Sequence, residues 1–120
     1  RDFTYIDDIV DGTYSCCIKP AKIDNQFFEK KLDPSTSFAP YRIFNIGNQK
    51  KVSLIKFISM LEDELGIKAK KVFLPAQPGD ILVTQSEIRK LSDWTGYNPK
   101  VDFREGIKKF ASWYKNDYGY

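Results

Sequence analysis

Residues 53 to 66 read Ser-Leu-Ile-Lys-Phe-Ile-Ser-Met-Leu-Glu-Asp-Glu-Leu-Gly, and they constrain the fold more than any other stretch of the chain. Leu54, Ile58, Leu61 and Leu65 recur at the spacing that lines one face of a helix. Ser53 offers a hydroxyl to the orphan N–H groups of the first turn, and Gly66 suits the left-handed backbone that ends a helix. A helix with one apolar stripe has to be covered, so the chain must supply further elements to pack against it. The last helix is the natural partner. Asp102 and Glu105 have the spacing of a capping box, and Phe103, Ile107, Phe110, Ala111 and Tyr114 then share a face. Its tail, Asn116 to Tyr120, is predicted to fray.

Outside these two helices the local signals are shorter. Phe3 to Ile6 is aromatic and β-branched and suits a short half-buried strand, after which Asp7 or Asp8 is placed to cap a helix from about Asp8 to Lys19. Ile9, Val10, Thr13, Tyr14, Cys17 and Ile18 give that helix its period, Gly12 weakens it and Pro20 stops it. Residues 20 to 40 form a long loop, with a short helix predicted around Asn25 to Lys31. Tyr41 to Ile46 alternates and stops at Gly47-Asn48, which reads as a strand and turn, and Lys70 to Leu74 reads as another strand. Pro75 to Asp80 is a stiffened loop, and Thr84 with Glu87 suggests a capping box before a helix to Thr95, ended by Gly96. The mixture is α/β, or α+β for the segment taken alone. No stretch looks like a linker between autonomous domains.

At 120 residues and 42% hydrophobic the chain is suited to one modest core, and a net charge of +3 from 19 basic and 16 acidic residues is too mild and too scattered for a nucleic-acid binder. No apolar run approaches the length of a membrane span, and no leader is expected, so the sequence reads as cytoplasmic. Cys16 and Cys17 are adjacent, which disfavours a disulfide between them and suggests small buried helix residues in a reducing compartment. With no histidine, neither a Cys–His nucleophile nor an ordinary zinc site is supported. Trp94, Trp113 and the tyrosines read as packing residues.

Four motifs in order carry a resemblance: Arg1-Asp2-Phe3-Thr4-Tyr5-Ile6-Asp7-Asp8; Phe44-Asn45-Ile46-Gly47-Asn48; Leu74-Pro75-Ala76-Gln77-Pro78-Gly79-Asp80; and Thr95-Gly96-Tyr97-Asn98-Pro99, with a helix holding Trp113-Tyr114 after it. Together they resemble the C-terminal part of extended short-chain dehydrogenases/reductases, in the branch of NAD-dependent nucleotide-sugar epimerases that act on UDP-glucuronate. The resemblance implies that Arg1 contacts the UDP diphosphate, a role that suits a fork of parallel donors. It places Gln77 where many relatives carry a second arginine, so that contact would be uncharged, and it offers Asp80 either as an acceptor from a ribose hydroxyl or as a loop-holding turn residue. Asn45-Ile46-Gly47 reads as a tight strand end.

The same resemblance assigns catalysis elsewhere. Such enzymes use a Gly-x-x-Gly-x-x-Gly turn for NAD and a Tyr-x-x-x-Lys pair for proton transfer, and neither pattern occurs in these residues. No catalytic or cofactor-binding residue is therefore assigned, and the chain by itself is expected to be inactive and to bind no NAD. The implied partners are a UDP-sugar and a missing N-terminal Rossmann domain, with a homodimer left open. Residues 1–50 would pack on the Rossmann domain and residues 51–120 would form the small substrate-binding domain. The implied reaction of the whole enzyme is C4 epimerisation between UDP-glucuronate and UDP-galacturonate through a 4-keto sugar. A nucleotide-sugar dehydratase or decarboxylase, or a free-standing binding module, are the alternatives. In isolation, the Tyr41–Ile46 strand or the opening helix is expected to promote self-association, or residues 1–40 to be poorly ordered.

Overall fold

The computed structural model describes residues 1–30 and 33–119. Among these residues the chain forms four helices, α1 (Ile6–Ile18), α2 (Leu54–Leu65), α3 (Arg89–Thr95) and α4 (Phe103–Tyr118), with a 3-10 turn at Phe27–Glu29. The β structure consists of two isolated antiparallel bridges, Asp2 with Lys51 and Thr36 with Arg42. The strands predicted at Phe3–Ile6, Tyr41–Ile46 and Lys70–Leu74 are therefore not formed among the described residues, whose regular structure is helical with few β bridges, so the α/β detail of the segment is not confirmed. Strand character without a strand has a physical basis, since a ladder needs a neighbour for its N–H and C=O groups. Residues 41–46 keep the alternation: Phe44 and Ile46 pack inward against the core, whereas Tyr41 and Ile43 are exposed.

α2 is built as its sequence dictates. The Ser53 hydroxyl accepts from the Lys56 N–H, and Gly66 closes the helix at φ 74°. α2 packs on α4, and Phe3 bridges them, stacked on Phe57 at 4.6 Å and tilted against Phe103 at 5.6 Å. Asp102 caps α4 by accepting from the Arg104 N–H, while Glu105 pairs with Lys109 at 3.2 Å. α4 runs to Tyr118, through the tail predicted to fray from Asn116, and Gly119 caps it in the left-handed region at φ 72°. Trp113, predicted to be packed, is half exposed. The short helix predicted from Asn25 reduces to the 3-10 turn, and its Lys31 end, like Tyr120 in the tail, lies outside the described residues.

A buried carboxylate fastens the end of α2 to the segment at 68–71. Glu62 accepts from the Ala69 N–H at 2.9 Å and is paired with Lys71 and Lys68. Lys71, then the Ala69 N–H and Lys68, hold its carboxyl down at about 2, against an ordinary 4.5. A depressed pKa gives stability that is complete above the ordinary value and is lost as pH falls through the folded one, here from about 4.5 towards 2. Glu62→Gln is expected to lower the melting temperature at neutral pH and to flatten its acid slope in that window. A variant with the wild-type acid slope would show that the clamp contributes nothing.

α1 departs most from expectation. It starts at Ile6, its N-cap is Tyr5 without a side-chain bond, and neither Asp7 nor Asp8 caps it. Asp8 is buried and spans to the far end of the chain, accepting from the Lys100 N–H at 2.9 Å and the Val101 N–H at 3.1 Å. The buried face of α1 runs through Asp8 and Gly12 towards half-buried Cys16, and Gly12 lies against Tyr97 and Ile46. The opposite stripe, Ile6, Val10, Tyr14 and Ile18, faces outward, each more than half exposed at 59, 56, 64 and 67%. Cys17 is exposed as well, contrary to the reading of both cysteines as buried. An amphipathic helix that covers its polar and small residues and presents its apolar ones has the wrong side out for an isolated body.

Candidate functional site

Arg1 is held by its backbone on both sides. Its amino group donates to the Val52 carbonyl at 2.8 Å, and its own carbonyl accepts from the Val52 N–H at 2.9 Å. With the main chain fixed, the guanidinium extends to the loop 79 residues away, where Nη2 donates to Asp80 Oδ1 at 2.7 Å. The Asp80 N–H donates to the Gln77 carbonyl at 3.1 Å, and Gly79 takes φ 87°, so the loop turns back on itself and presents Asp80 to Arg1. The predicted residues Arg1, Gln77 and Asp80 thus share one exposed patch. An ion pair this exposed is worth little to the fold, at most about 1 kcal/mol, so its effect is on where the guanidinium sits.

Asp2, which the first motif includes without assigning it a role, is a hub next to Arg1. Its Oδ1 accepts from the Asn48 N–H at 3.2 Å; its Oδ2 accepts from the Gln49 N–H at 3.1 Å, the Ser86 N–H at 2.9 Å and the Ser86 hydroxyl. Burial pushes the carboxyl up, but the Ser86 hydroxyl and the three N–H groups outweigh it and hold it below the usual range. The Asp2 N–H in turn donates to Thr84 Oγ1 at 3.1 Å. Thr84 is therefore not the cap predicted for α3; Glu87 accepts from the Arg89 N–H instead, and Ile88 is the N-cap residue.

Gly47 explains how three remote segments meet so closely. A Cβ there would lie 1.7 Å from Ser86 Oγ and 2.6 Å from Ser86 Cβ. Beside it a polar cleft of about 410 Å³ is lined by Asp2, Thr4, Asn45, Gly47, Thr84 and Ser86. A larger cleft, about 730 Å³ between α2 and residues 67–73, is walled mainly by Leu54, Ile58, Leu61, Leu65 and Val72, and its one carboxylate, Glu62, is already satisfied by lysines. It offers no convergent free polar groups of the kind that orient a polar ligand.

Of the other predicted packing residues, Trp94 and Tyr97 are packed, whereas Tyr14, Tyr41 and Tyr118 are exposed. Trp94 donates from Nε1 to the Lys19 carbonyl at 2.8 Å, closing the end of α1, and the Arg42 guanidinium lies 4.4 Å from its ring centre. Tyr97 is buried between α1 and α3, and desolvation, aided by Asp8, Asp11 and Asp2, pushes its hydroxyl up to about 12. Among the described residues no cluster could hold a metal ion, and no helix is long and apolar enough to cross a membrane.

No family model matches the chain. A 37.6 kDa protein of Escherichia coli O111:H-, whose role is uncharacterised, is 42% identical over 118 residues, 98% of this chain and 35% of that protein. UDP-glucuronate 4-epimerase 1 of Arabidopsis thaliana is 39% identical over 122 residues, covering 100% of this chain and 27% of its own length. Among solved structures, a UDP-glucuronic acid 4-epimerase from Bacillus cereus, in complex with UDP-glucuronic acid and NAD, is 32% identical with a TM-score of 0.72, over 98% of this chain and 32% of that one. This chain thus spans about a third of the length of the relatives it matches. Its homologues include UDP-glucuronate 4-epimerases, its solved structural neighbours are epimerases of the extended short-chain dehydrogenase/reductase kind, and the chain corresponds to a C-terminal part of them.

Proposed function

We propose that this chain is the substrate-binding part of an NAD-dependent UDP-sugar 4-epimerase of the cytoplasm, acting on UDP-glucuronate and UDP-galacturonate. The observation that carries this reading is the meeting of Arg1 with Asp80, which brings two of the four motif segments into one polar patch. In it the Arg1 guanidinium binds the diphosphate, the Gln77 amide donates to phosphate or ribose oxygens, and Asp80 either holds Arg1 or accepts from a ribose hydroxyl. Charge on the sugar nucleotide suits this arrangement, because a guanidinium stays protonated throughout the working pH range. By closing over the sugar, this part would also keep water from the reactive 4-keto intermediate.

When bound, NAD supplies the hydride acceptor and donor at C4; the residues of this chain do not fit it. Gly47, the glycine at the strand-like end, stands without the spaced glycines of a dinucleotide-binding turn, and the Ser86 hydroxyl lies 1.7 Å from where its Cβ would be. The dinucleotide site and the proton-transfer pair accordingly belong to the remainder of the parent enzyme. Residues 1–50 would dock there through the exposed stripe of α1 and the outer face of residues 41–43, while residues 51–120 cap the sugar. That stripe also weighs against a free-standing module, which would have no use for an uncovered apolar helix face.

Calorimetric titration of the chain tests this reading. UDP and UDP-glucuronate are expected to bind more tightly than uridine, which lacks the diphosphate that Arg1 receives, and the chain alone is expected to leave UDP-glucuronate unconverted. Equal heats for UDP and uridine, or turnover by the chain alone, would overturn it.

A further inference from the structure

We propose that Asp2 is the positioning residue for Arg1, setting the distance between the arginine fork and the Gln77–Asp80 loop that together receive a nucleoside diphosphate. This role rests on the nucleotide reading of Arg1.

The geometry begins with the segments that Asp2 ties together. Its carboxylate gathers the turn at 48–49 and the segment at 86, and its N–H takes Thr84, so both segments are fastened to the residue next to Arg1. The paired bonds with Val52, one to the amino group and one to the carbonyl of Arg1, hold the backbone on both sides of its Cα. Arg1 is left with its side chain as the only movable part. Thr84 and Ser86 lie just beyond Asp80 in the sequence, so the anchor that holds the Arg1 backbone also holds the end of the loop that Arg1 reaches. Shift Ser86 relative to Asp2, and the guanidinium and the loop separate together.

The chemistry suits a permanent anchor. The hydroxyl and N–H donors keep the Asp2 carboxyl ionised well below neutrality, so the anchor does not loosen in the working range. Gly47 lets the Ser86 side chain approach within what would be a single Cβ volume, which gives the cluster no slack. A rigid support matters because small misplacements of a positioning group cost binding disproportionately.

The test uses the full-length parent enzyme and compares affinities for UDP and uridine, which share the base and ribose but differ in the diphosphate. Arg1→Ala, Asp2→Asn, Ser86→Ala and the Arg1→Ala/Asp2→Asn pair are measured together. Asp2→Asn is expected to weaken UDP about tenfold, the scale of one charge-assisted hydrogen bond, with uridine little changed. In the Arg1→Ala background it should add almost nothing, because a residue acting through Arg1 has no further effect once Arg1 is gone. Ser86→Ala should show the same selective loss to a smaller degree, and it decides alone if Asp2→Asn does not fold. Equal weakening of UDP and uridine, or full additivity with Arg1→Ala, would reduce Asp2 to a fold support and overturn the proposal. A UDP-sensitive Arg1→Ala beside silent Asp2→Asn and Ser86→Ala would overturn the positioning role alone. A silent Arg1→Ala would remove the nucleotide reading and this proposal with it.

Discussion

Asp8→Ala is expected to destabilise the chain by about 3 kcal/mol, because the carboxylate is buried and two N–H groups from residues 100 and 101 converge on it. A charge-assisted hydrogen bond contributes roughly 1.5–3 kcal/mol, and truncation leaves both donors facing a half-buried void with nothing to accept them. The loss also has leverage. Asp8 sits in the first turn of α1, and the bonds it receives fix the chain immediately before Asp102, the cap of α4. Chemical denaturation of the variant measures the effect, with Asp8→Asn intermediate since one acceptor oxygen survives. A loss below about 1 kcal/mol, the value of an ordinary neutral hydrogen bond, would show that the contact is incidental.

Gly47→Ala is expected to cost about as much by a different route, overpacking. The new methyl would overlap Ser86 Oγ and press on Ser86 Cβ, both short of any tolerable contact. Relief requires moving residue 86 away from Asp2, so the hydrogen bonds of that hub are strained together; overpacking of this kind costs up to about 3 kcal/mol. The clash is with a side chain, which makes the mechanism testable by a second substitution. Gly47→Ala with Ser86→Gly is expected to be more stable than Gly47→Ala alone, although Ser86→Gly by itself destabilises. Additive losses would place the cost elsewhere than in this contact.

The sequence was most legible where local rules act alone. Ser53 and Gly66 bound α2, Asp102 caps α4 and Gly96 closes α3, because a cap depends on a few neighbouring N–H and C=O groups and little else. It was least legible where a local role was outbid by a distant partner. Asp8 suits an N-cap, yet two N–H groups more than ninety residues away claim its carboxylate, and Thr84 serves Asp2 in place of α3. The same holds for the strands. Tyr41–Ile46 has the right alternation, but pairing is a property of two segments, and only a bridge at Arg42 forms among the described residues.

The site divides in the same way. Arg1, Gln77 and Asp80 were singled out as candidates through motif resemblance, and the fold joins them through the Arg1–Asp80 pair and the Asp80–Gln77 turn. Asp2 was named within the first motif but given no role, because nothing local marks an aspartate as an acceptor of four donors from two remote segments. One signal was present: Gly47 sits at the end of an apolar alternating run, where a close backbone approach is a recognised reason for glycine. The outward stripe of α1 was legible as a periodic pattern but not as an exposed one, since period alone does not say which face finds cover.

On the proposed reading the patch around Arg1 receives the diphosphate of a UDP-sugar, and one measurement addresses this most directly: the affinity of the full-length enzyme for UDP with Arg1 intact and with Arg1→Ala. Loss of a charge-assisted fork should weaken binding by roughly 1.5–3 kcal/mol, about ten- to a hundredfold, without lowering the melting temperature of the free enzyme by more than a degree or so, because Arg1 reaches Asp80 only through an exposed pair. Affinity unchanged by Arg1→Ala would contradict the reading and leave the Arg1–Asp80 contact as surface structure alone.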